Sequence, residues 1–184
     1  ATYRFSNMLT VQTESVKQSI HSIYGGLNQV SVVHNPLPEA VVKYRADLAS
    51  QKDRRVLLSL GRLTKEKRVV EIVAAFADVE CKFSDWDLHI YGDGPDRDLV
   101  EAEILRQGLS DRIFLRGSTS SPWSVMAKAD AFVMNSVFEG FPNALLEAMG
   151  VGLPCITSDC PSGPREISRN GKDALLVTSG DSSA

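Results

Sequence analysis

The sequence predicts an α/β protein whose core is a Rossmann-like, doubly wound parallel sheet of about six strands. From residue 55 onward, short apolar runs, each followed by a turn, alternate with segments of helical spacing. Buried strands that alternate with helices are typical of βαβ units, in which helices cover both faces of a parallel sheet. The six predicted strands are 56–60, 88–91, 113–115, 131–134, 154–156 and 174–177.

The helices between these strands are predicted from apolar spacing and from glycine. Apolar side chains recur at helical spacing over 69–79, while Glu71 and Asp78 fall outside that stripe. A polar helix is predicted over about 96–107 and should end at Gly108, because glycine readily adopts the left-handed conformation that closes many helices.

The first 35 residues predict a separate strand–helix–strand unit. MLTVQTES indicates a strand that leads into a helix over 13–23 with Thr13 as its candidate cap, and GGLNQVSVV indicates a second strand. Such a unit cannot bury both of its faces. We therefore interpret 1–35 as the tail of a preceding N-terminal domain with the crossover, 36–54 as an interdomain linker and 55–184 as a second domain. GDSSA follows the last strand without a closing helix, so we expect that domain to be truncated and the sequence to be a piece of a larger protein.

Composition and charge argue against several classes of protein. Twenty basic and twenty-three acidic side chains give a net charge of −3, which is too balanced for nucleic acid or an anionic membrane to be the main partner. No apolar run approaches the roughly 20 residues of a membrane-spanning helix. Three cysteines without a CxxC pair and three scattered histidines predict free thiols and no metal site.

The loops after the strands are the predicted binding region, because ligands of open α/β sheets bind at the carboxyl ends of the strands. These loops contain GRLTKEK, GDGPD, RGSTS, NSVFEGFPN and TSDCPSG. In the fourth loop, Pro142 suits the first turn of a helix, where its missing N–H is no loss. The N–H groups of Asn143, Ala144 and Leu145 would then point out of the helix start and, together with the helix dipole, favour a phosphate.

Two glutamates with seven residues between them, Glu139 and Glu147, lie in this loop and helix. A buried acid needs a partner, and 136–154 contains no basic residue, so we expect a ligand to be that partner. Glu147 is placed to accept hydrogen bonds from hydroxyls beside the phosphate, and Glu139 to reach another part of the same ligand. A phosphate flanked by hydroxylated rings describes a nucleotide-sugar. From spacing alone it stays open whether Glu147 caps backbone or pairs with an arginine, and whether Glu139 is merely exposed.

Arg62 and Lys67, in GRLTKEK, are candidates for binding the phosphates. A guanidinium and an ammonium in one loop can neutralise a diphosphate that a helix N-terminus alone only half compensates. Taken by itself, the KEKR run is also typical of a solvated charged surface.

Other motifs carry less information. GDGPD lacks the third glycine and the downstream acid of a dinucleotide fingerprint, and DWD at 85–87 leads into a strand with no loop to present a metal. We interpret Trp86 and Trp123 as packing residues. Cys160 and Ser162 lie beside the predicted site, but no histidine follows residue 89 to act as a base for a nucleophile.

The ordered motifs resemble the C-terminal, donor-binding domain of retaining glycosyltransferases of the GT-B fold, family four, of the type that builds bacterial surface polysaccharides. The resemblance covers roughly residues 30–180. It is carried by SLGRLTKEKRV, LHIYGDGP, IFLRG, ADAFVMNSVFEGFPNALLEAMGVGLPCITSD and GPREI…NGKDALLV.

The resemblance implies a role for each candidate residue. Glu147 would bind the ribose hydroxyls, and Glu139 would face the donor sugar and stabilise the transition state at its anomeric carbon. Arg62 and Lys67 would hold the diphosphate leaving group, and such preorganised charge requires no metal or other cofactor. The backbone at 116–117 would read the base edge, 140–142 would shape the sugar pocket, and the N–H groups of 143–145 would share the phosphate charge. The implied donor-binding residues are thus Gly61, Arg116, Gly117, Gly140, Phe141, Pro142, Asn143, Ala144, Leu145 and Glu147.

Two features depart from the family pattern. CPSGPREI stands where many relatives have a glycine pair, and this variant is similar to that of bacterial enzymes that transfer N-acetylhexosamines or related sugars from UDP donors to lipid-linked or surface glycans. The acceptor site would lie in an N-terminal domain that is mostly absent from the sequence, so we expect this fragment alone to be inactive. The resemblance implies a cytoplasmic protein, and contact of the full-length enzyme with the inner face of the cell membrane stays open.

Three other functions stay open. A sugar-nucleotide epimerase would need acid–base side chains around the sugar ring, and this chain offers chiefly Glu139. A phosphorylase of this architecture would need a lysine-bound pyridoxal phosphate, but no lysine lies near FEGFPN in the sequence. A non-catalytic nucleotide-sugar-binding module that regulates a partner is the third alternative.

Overall fold

The computed structural model describes residues 7–24, 29–46 and 53–179, and it forms two parallel sheets. The first sheet pairs two strands of the N-terminal unit, and the second contains six strands. In chain order the strands are β1 Leu9–Val11, β2 Val30–Val32, β3 Arg55–Leu60, β4 Trp86–Tyr91, β5 Ile113–Gly117, β6 Ala131–Met134, β7 Cys155–Ser158 and β8 Leu175–Val177.

Six α-helices connect these strands within the described residues: α1 Glu14–Tyr24, α2 Val69–Val79, α3 Arg97–Gln107, α4 Pro122–Lys128, α5 Asn143–Val151 and α6 Pro164–Ile167. Short 3-10 helices occupy Glu39–Lys43 and Lys65–Lys67. None of the helices in the described ranges has the length and hydropathy of a membrane span.

The six-stranded sheet has the order β5-β4-β3-β6-β7-β8, with all neighbours parallel. This confirms the predicted Rossmann-like sheet. The strand order changes direction between β3 and β6, where Leu57 and Leu58 pair with Ala131 and Phe132. Ligands of such sheets bind in the crevice beyond the carboxyl ends of the strands at this switch point.

Two hydrophobic clusters pack against the sheet. One joins strand residues such as Leu58 and Phe132 to Leu145 of α5, and the other joins Leu88 to helices α2 and α3. The neighbouring residues Leu57 and Leu58 belong to different clusters, as expected for a strand whose side chains alternate between two faces. Helices therefore cover both faces, which confirms the doubly wound arrangement.

The predicted helix ends match two local hydrogen-bond patterns. Gly108 adopts a left-handed conformation directly after α3, and its N–H bonds to carbonyls of the last turn. The Thr13 hydroxyl accepts a hydrogen bond of 3.2 Å from the Val16 N–H, which confirms Thr13 as the cap of α1.

The N-terminal unit is joined to the larger sheet domain by polar contacts. The Thr13 and Ser162 hydroxyls lie 2.7 Å apart. The N–H groups of Glu14 and Ser15 donate to the Glu166 carboxylate at 3.0 and 3.2 Å. Because these N–H groups belong to the first turn of α1, Glu166 satisfies donors that the helix itself leaves without partners.

The segment 36–54, predicted to be a linker, packs against α5 over its described part. Val41 is fully buried, and the Ala46 N–H donates to the Val151 carbonyl at 3.0 Å. A Cβ at Gly150 would lie only 2.8 Å from the Leu37 side chain, so the segment and the helix are in close contact. Residues 47–52 of the predicted linker, and residues 180–184, to which the prediction of a missing closing helix refers, lie outside the described residues.

Candidate functional site

A cleft of about 420 Å³ lies at the carboxyl ends of β3 and β6, the predicted position. The loop after β3 forms one wall, and the loop after β6 with the start of α5 forms the other. Of the predicted site residues, the cleft brings together Gly61, Arg62, Lys67, Glu139, Phe141, Pro142, Asn143 and Ala144.

The centre of this cleft is an ion pair between Lys67 and Glu139. The Lys67 ammonium donates to Oε1 of Glu139, and the Ser136 hydroxyl donates to the same oxygen at 2.6 Å. The loops that carry the pair are also tied together, because the Val137 N–H donates to the Glu66 carbonyl at 2.8 Å. A lysine distant in sequence is therefore a protein partner of Glu139 that the stretch 136–154 does not contain, and a ligand as a further partner of this carboxylate stays a prediction.

Arg62 also lines the cleft and is exposed. It makes no ion pair with any residue that the structure describes. Lys67 gives one of its three N–H donors to Glu139 and can direct the others into the cleft. The cleft thus offers an anionic ligand the guanidinium of Arg62 and the two remaining N–H donors of Lys67.

The start of α5 differs from the prediction in two respects. Pro142 occupies the cap position directly before Asn143, and the Asn143 N–H donates to the Phe141 carbonyl at 2.9 Å. Leu145 is fully buried in the core, and its predicted role, which concerns only its backbone N–H, stays a prediction. Ala144 remains a candidate donor to a ligand, because it lines the cleft and an N–H at the second helical position has no partner within the helix.

A second cavity of about 320 Å³ continues the cleft past the ends of β4 and β5. The two cavities share Leu60, Gly61 and Arg62. The loops of this second cavity follow predicted strands, but its individual lining residues were not predicted. They include Tyr91, Asp93, Ser118, Thr119 and Pro122. No motif distinguishes these residues, and only the position of their loops after predicted strands indicates them.

The glycines of GDGPD have a packing role between two loops of the site. A Cβ at Gly92 would lie 1.8 Å from the Gly61 carbonyl oxygen, and one at Gly94 would lie 2.3 Å from the Leu63 carbonyl oxygen. The Gly61 N–H donates to the Tyr91 carbonyl at 3.0 Å, which joins the same loops. Because Gly92 and Gly94 have no side chains, the two loops can approach closely, and this contact holds Gly61 in the lining of the cleft.

Arg116 and Gly117, predicted to read a base edge, do not line either of these cavities. The Arg116 guanidinium lies over the Phe114 ring, 4.5 Å from its centroid, and 3.4 Å from the His89 Nε2 atom. The Gly117 carbonyl accepts a hydrogen bond of 2.9 Å from the Gly92 N–H. The contribution of this loop to the cavity therefore comes from the two residues that follow, Ser118 and Thr119.

Glu147 lies one turn into α5, where its carboxylate accepts a hydrogen bond of 3.0 Å from the Trp123 indole N–H. It lines a smaller pocket of about 200 Å³ against the chain segment that contains Asn35, rather than the cleft around Lys67. Asn143 borders both cavities and links them. Trp123 was predicted to be only a packing residue, but it also orients this carboxylate.

Gly140 is held by the loop after β7. The Ser162 hydroxyl donates to the Gly140 carbonyl at 3.0 Å, and a Cβ at Gly163 would lie 2.4 Å from the Pro142 ring. Cys160 in the same loop is buried. Burial, and then the charge of Glu139, raise the pKa of its thiol to about 11, which does not favour a nucleophile.

The acids of DWD lie at the amino end of β4, away from the cleft. Asp87 is bonded to Arg54 and Arg112, and Asp85 lies 3.8 Å from Arg55. Burial would raise the pKa of Asp87, but hydrogen bonds and charge from Arg54 and then Arg112 outweigh burial and lower the pKa. Within the described ranges, no group of three or more histidine, cysteine or acidic side chains is arranged to hold a metal ion.

Comparison with known proteins shows the family of this chain. The family model described as glycosyl transferases group 1 matches residues 42–184. The chain is 35% identical over 175 residues to lipopolysaccharide 1,6-galactosyltransferase of Salmonella typhimurium, a match that covers 91% of this chain and 47% of that protein. The chain spans about half the length of this curated relative.

Solved structures agree on the fold. A lipopolysaccharide outer core galactosyltransferase in its apo form superposes with a TM-score of 0.77 at 32% identity, covering 97% of this chain and 50% of that one. A pneumococcal O-GlcNAc transferase in complex with UDP and GlcNAc superposes with a TM-score of 0.74 at 25% identity, covering 97% of this chain and 35% of that one. The chain belongs to the glycosyl transferases group 1 family, and its fold is that of the C-terminal domain of a GT-B glycosyltransferase.

Proposed function

We propose that the chain binds a UDP-sugar donor, and that the full-length protein transfers the hexose or N-acetylhexosamine to a glycan or lipid-linked acceptor with retention of anomeric configuration. The observation that carries this proposal is the Lys67–Glu139 ion pair beside Arg62 in the cleft at the switch point of the sheet. Cations and a carboxylate lie side by side there. Such an arrangement suits a reaction in which an anionic leaving group separates from a positively charged sugar.

The cations suit a departing nucleoside diphosphate. Arg62 has five N–H donors and is exposed to the cleft, while Lys67 keeps donors beyond the one bound to Glu139. The Ala144 N–H, at the positive end of the α5 dipole, is a third donor group beside Arg62 and Lys67. Fixed positive charge near the leaving oxygens stabilises a transition state in which negative charge develops on them. This arrangement requires no metal ion.

Glu139 suits the opposite role. Its side chain is only 10% exposed, so its charge acts through protein rather than through bulk water, where it would be strongly screened. An oxocarbenium-like carbon near this carboxylate would be stabilised by direct attraction. Gly140, Phe141 and Pro142 then surround the sugar side of the cleft.

The second cavity suits the nucleoside. It joins the first cavity at Gly61 and Arg62, so a ligand with its diphosphate at Arg62 would extend toward Ser118 and Thr119. Glu147, oriented by Trp123, borders the small pocket that Asn143 links to the cleft, and we assign it to the ribose hydroxyls. UDP is the proposed nucleotide because the pneumococcal O-GlcNAc transferase with this fold binds UDP.

The acceptor site is assigned to another part of the protein. The curated galactosyltransferase relative is about twice as long as the segment it shares with this chain, and a GT-B active site lies between two domains. We therefore propose that this chain alone binds donor but transfers little sugar, and that acceptor binding and any peripheral contact with the membrane belong to the full-length cytoplasmic enzyme.

The test is a transfer assay with the full-length protein in EDTA. The donors are UDP-glucose, UDP-galactose and their N-acetyl analogues, and the acceptors are lipopolysaccharide core oligosaccharides and lipid-linked glycans. Acceptor-dependent release of UDP with an α-linked product, seen by NMR, would support the proposal. Interconversion of UDP-sugars without acceptor would identify an epimerase, and UDP binding without turnover would identify a binding module. Either result would overturn the proposed transfer.

A further inference from the structure

The two carboxylate oxygens of Glu139 have different surroundings. Oε1 accepts from both the Lys67 ammonium and the Ser136 hydroxyl, the latter at 2.6 Å. No described residue donates to Oε2, although the side chain lines the cleft. One oxygen is therefore anchored to the protein, while the other is available to a ligand.

Ser136 is itself held firmly. It is fully buried two residues after the end of β6, and its carbonyl accepts a hydrogen bond of 2.6 Å from the Ser158 hydroxyl at the end of β7. Ser158 is also fully buried. A serine hydroxyl has a single donor, and that of Ser136 is committed to Glu139. Ser158 at the end of β7 thus holds the Ser136 backbone, and the Ser136 hydroxyl in turn holds the Glu139 carboxylate.

We propose that Ser136 is a positioning residue that fixes Oε1 of Glu139 so that Oε2 faces the anomeric carbon of the donor, an inference that rests on the proposed function. Lys67 alone is a weaker anchor, because an ammonium on a flexible stem is a point charge without fixed geometry. In the proposed reaction Lys67 must also bind the diphosphate leaving group. Ser136 has no such second role, since its only hydroxyl donor is bonded to Glu139.

The test compares Ser136→Ala with wild type in the full-length protein, measuring kcat, KM for the donor and the Kd of UDP. We expect kcat to fall at least tenfold, while KM and Kd stay within about threefold, because a hydrogen bond that only positions one group is lost. Ser136→Thr keeps the hydroxyl and should recover most of the kcat. Ser158→Ala removes the support of Ser136 and should lower kcat severalfold in the same way.

Ser168→Ala is the matched control. Ser168 is equally buried, but its hydroxyl bonds only to the backbone of Arg165 and Gly171. It should leave kcat unchanged. An unchanged kcat in Ser136→Ala, or a parallel loss of kcat and UDP affinity there, would overturn the positioning role. If wild type itself bound no nucleotide, the proposed function would fail first, and the role of Ser136 with it.

Discussion

The Lys67 ammonium binds the Glu139 carboxylate directly, although 72 residues separate the two in sequence. Both side chains are largely shielded, with 25% and 10% of their surface exposed. Removing one partner of such a pair leaves the other charge poorly compensated. A variant at this site should therefore keep the shape and the hydrogen-bond acceptor of the side chain, so that the loss of charge is its main effect and binding and catalysis can be measured separately.

Glu139→Gln is the isosteric change that separates catalysis from binding. The amide oxygen can still accept from Lys67 and Ser136, but the negative charge that we propose to act on the anomeric carbon is lost. We expect the transfer rate of the full-length protein to fall about 10²–10³-fold, with the Kd of UDP within about threefold of wild type. Steady-state kinetics and calorimetry measure the two quantities. A tenfold loss of UDP affinity would show that Glu139 binds the nucleotide instead.

Glu147 and Trp123 should act on nucleotide affinity together. Glu147→Ala removes the carboxylate and should weaken UDP binding at least tenfold, which corresponds to about 1.4 kcal/mol. Trp123→Phe keeps an aromatic ring but removes the indole N–H, so we expect a loss of about threefold. Trp86→Phe, at the amino end of β4, is the aromatic control. Equal affinities in Trp123→Phe and wild type would mean that the indole bond does not orient Glu147.

Gly92→Ala should strongly destabilise the fold. The new Cβ would lie 1.8 Å from the Gly61 carbonyl oxygen, at a backbone angle φ of +148°. We expect a loss of at least about 3 kcal/mol in the free energy of unfolding, because backbone on both sides would have to move. Gly108→Ala is matched in having a positive φ, of +70°, but its Cβ would meet no atom within 4 Å. It should cost only about 1 kcal/mol. Similar urea midpoints for the two variants would contradict the predicted clash.

Buried thiols should make the protein less stable at alkaline pH. Burial raises the pKa of Cys155 from 9.0 to about 12 in the folded chain. Below pH 9 the thiol is neutral in both the folded and the unfolded state. Above it, only the unfolded chain ionises, so this thiol lowers the free energy of unfolding by about 1.4 kcal/mol per pH unit until the folded pKa is reached.

Cys155→Ala measures this effect by difference, since other groups titrate equally in both proteins. Urea unfolding between pH 9.5 and 10.5 should show a shallower loss of stability in the variant than in wild type. Parallel slopes would mean that the Cys155 thiol ionises as readily in the folded as in the unfolded chain.

The fold followed closely from the sequence because its signals are local. From residue 55 onward, the first and last residues of each predicted strand lie within two positions of those observed. The start of α1 at Thr13 and the end of α3 at Gly108 depend on hydrogen bonds between residues close in sequence. The partners of the two glutamates did not follow. Lys67 and Trp123 reach them only through the folding of distant segments, so spacing between the glutamates carried no information about either contact.

The orientation of single residues at the site was the other quantity that the sequence did not predict. The Leu145 side chain packs in the core, which the position of this residue at the start of α5 did not indicate. The Arg116 guanidinium lies over the ring of Phe114, two residues earlier on the same strand, and the predicted contact of the 116–117 backbone with a base stays a prediction. The burial of Leu145 depends on tertiary packing rather than on local pattern.

Arg62 and the cleft beside it are proposed to bind the diphosphate of a nucleotide. The most direct measurement is calorimetric titration of the chain and of the full-length protein with UDP, GDP and ADP in EDTA, for wild type, Arg62→Ala and the remote control Arg106→Ala. We predict that UDP binds with one site per chain, at least tenfold more weakly to Arg62→Ala and unchanged to Arg106→Ala. Equal UDP affinity in Arg62→Ala and wild type, or no nucleotide binding by either form of the protein, would contradict the account.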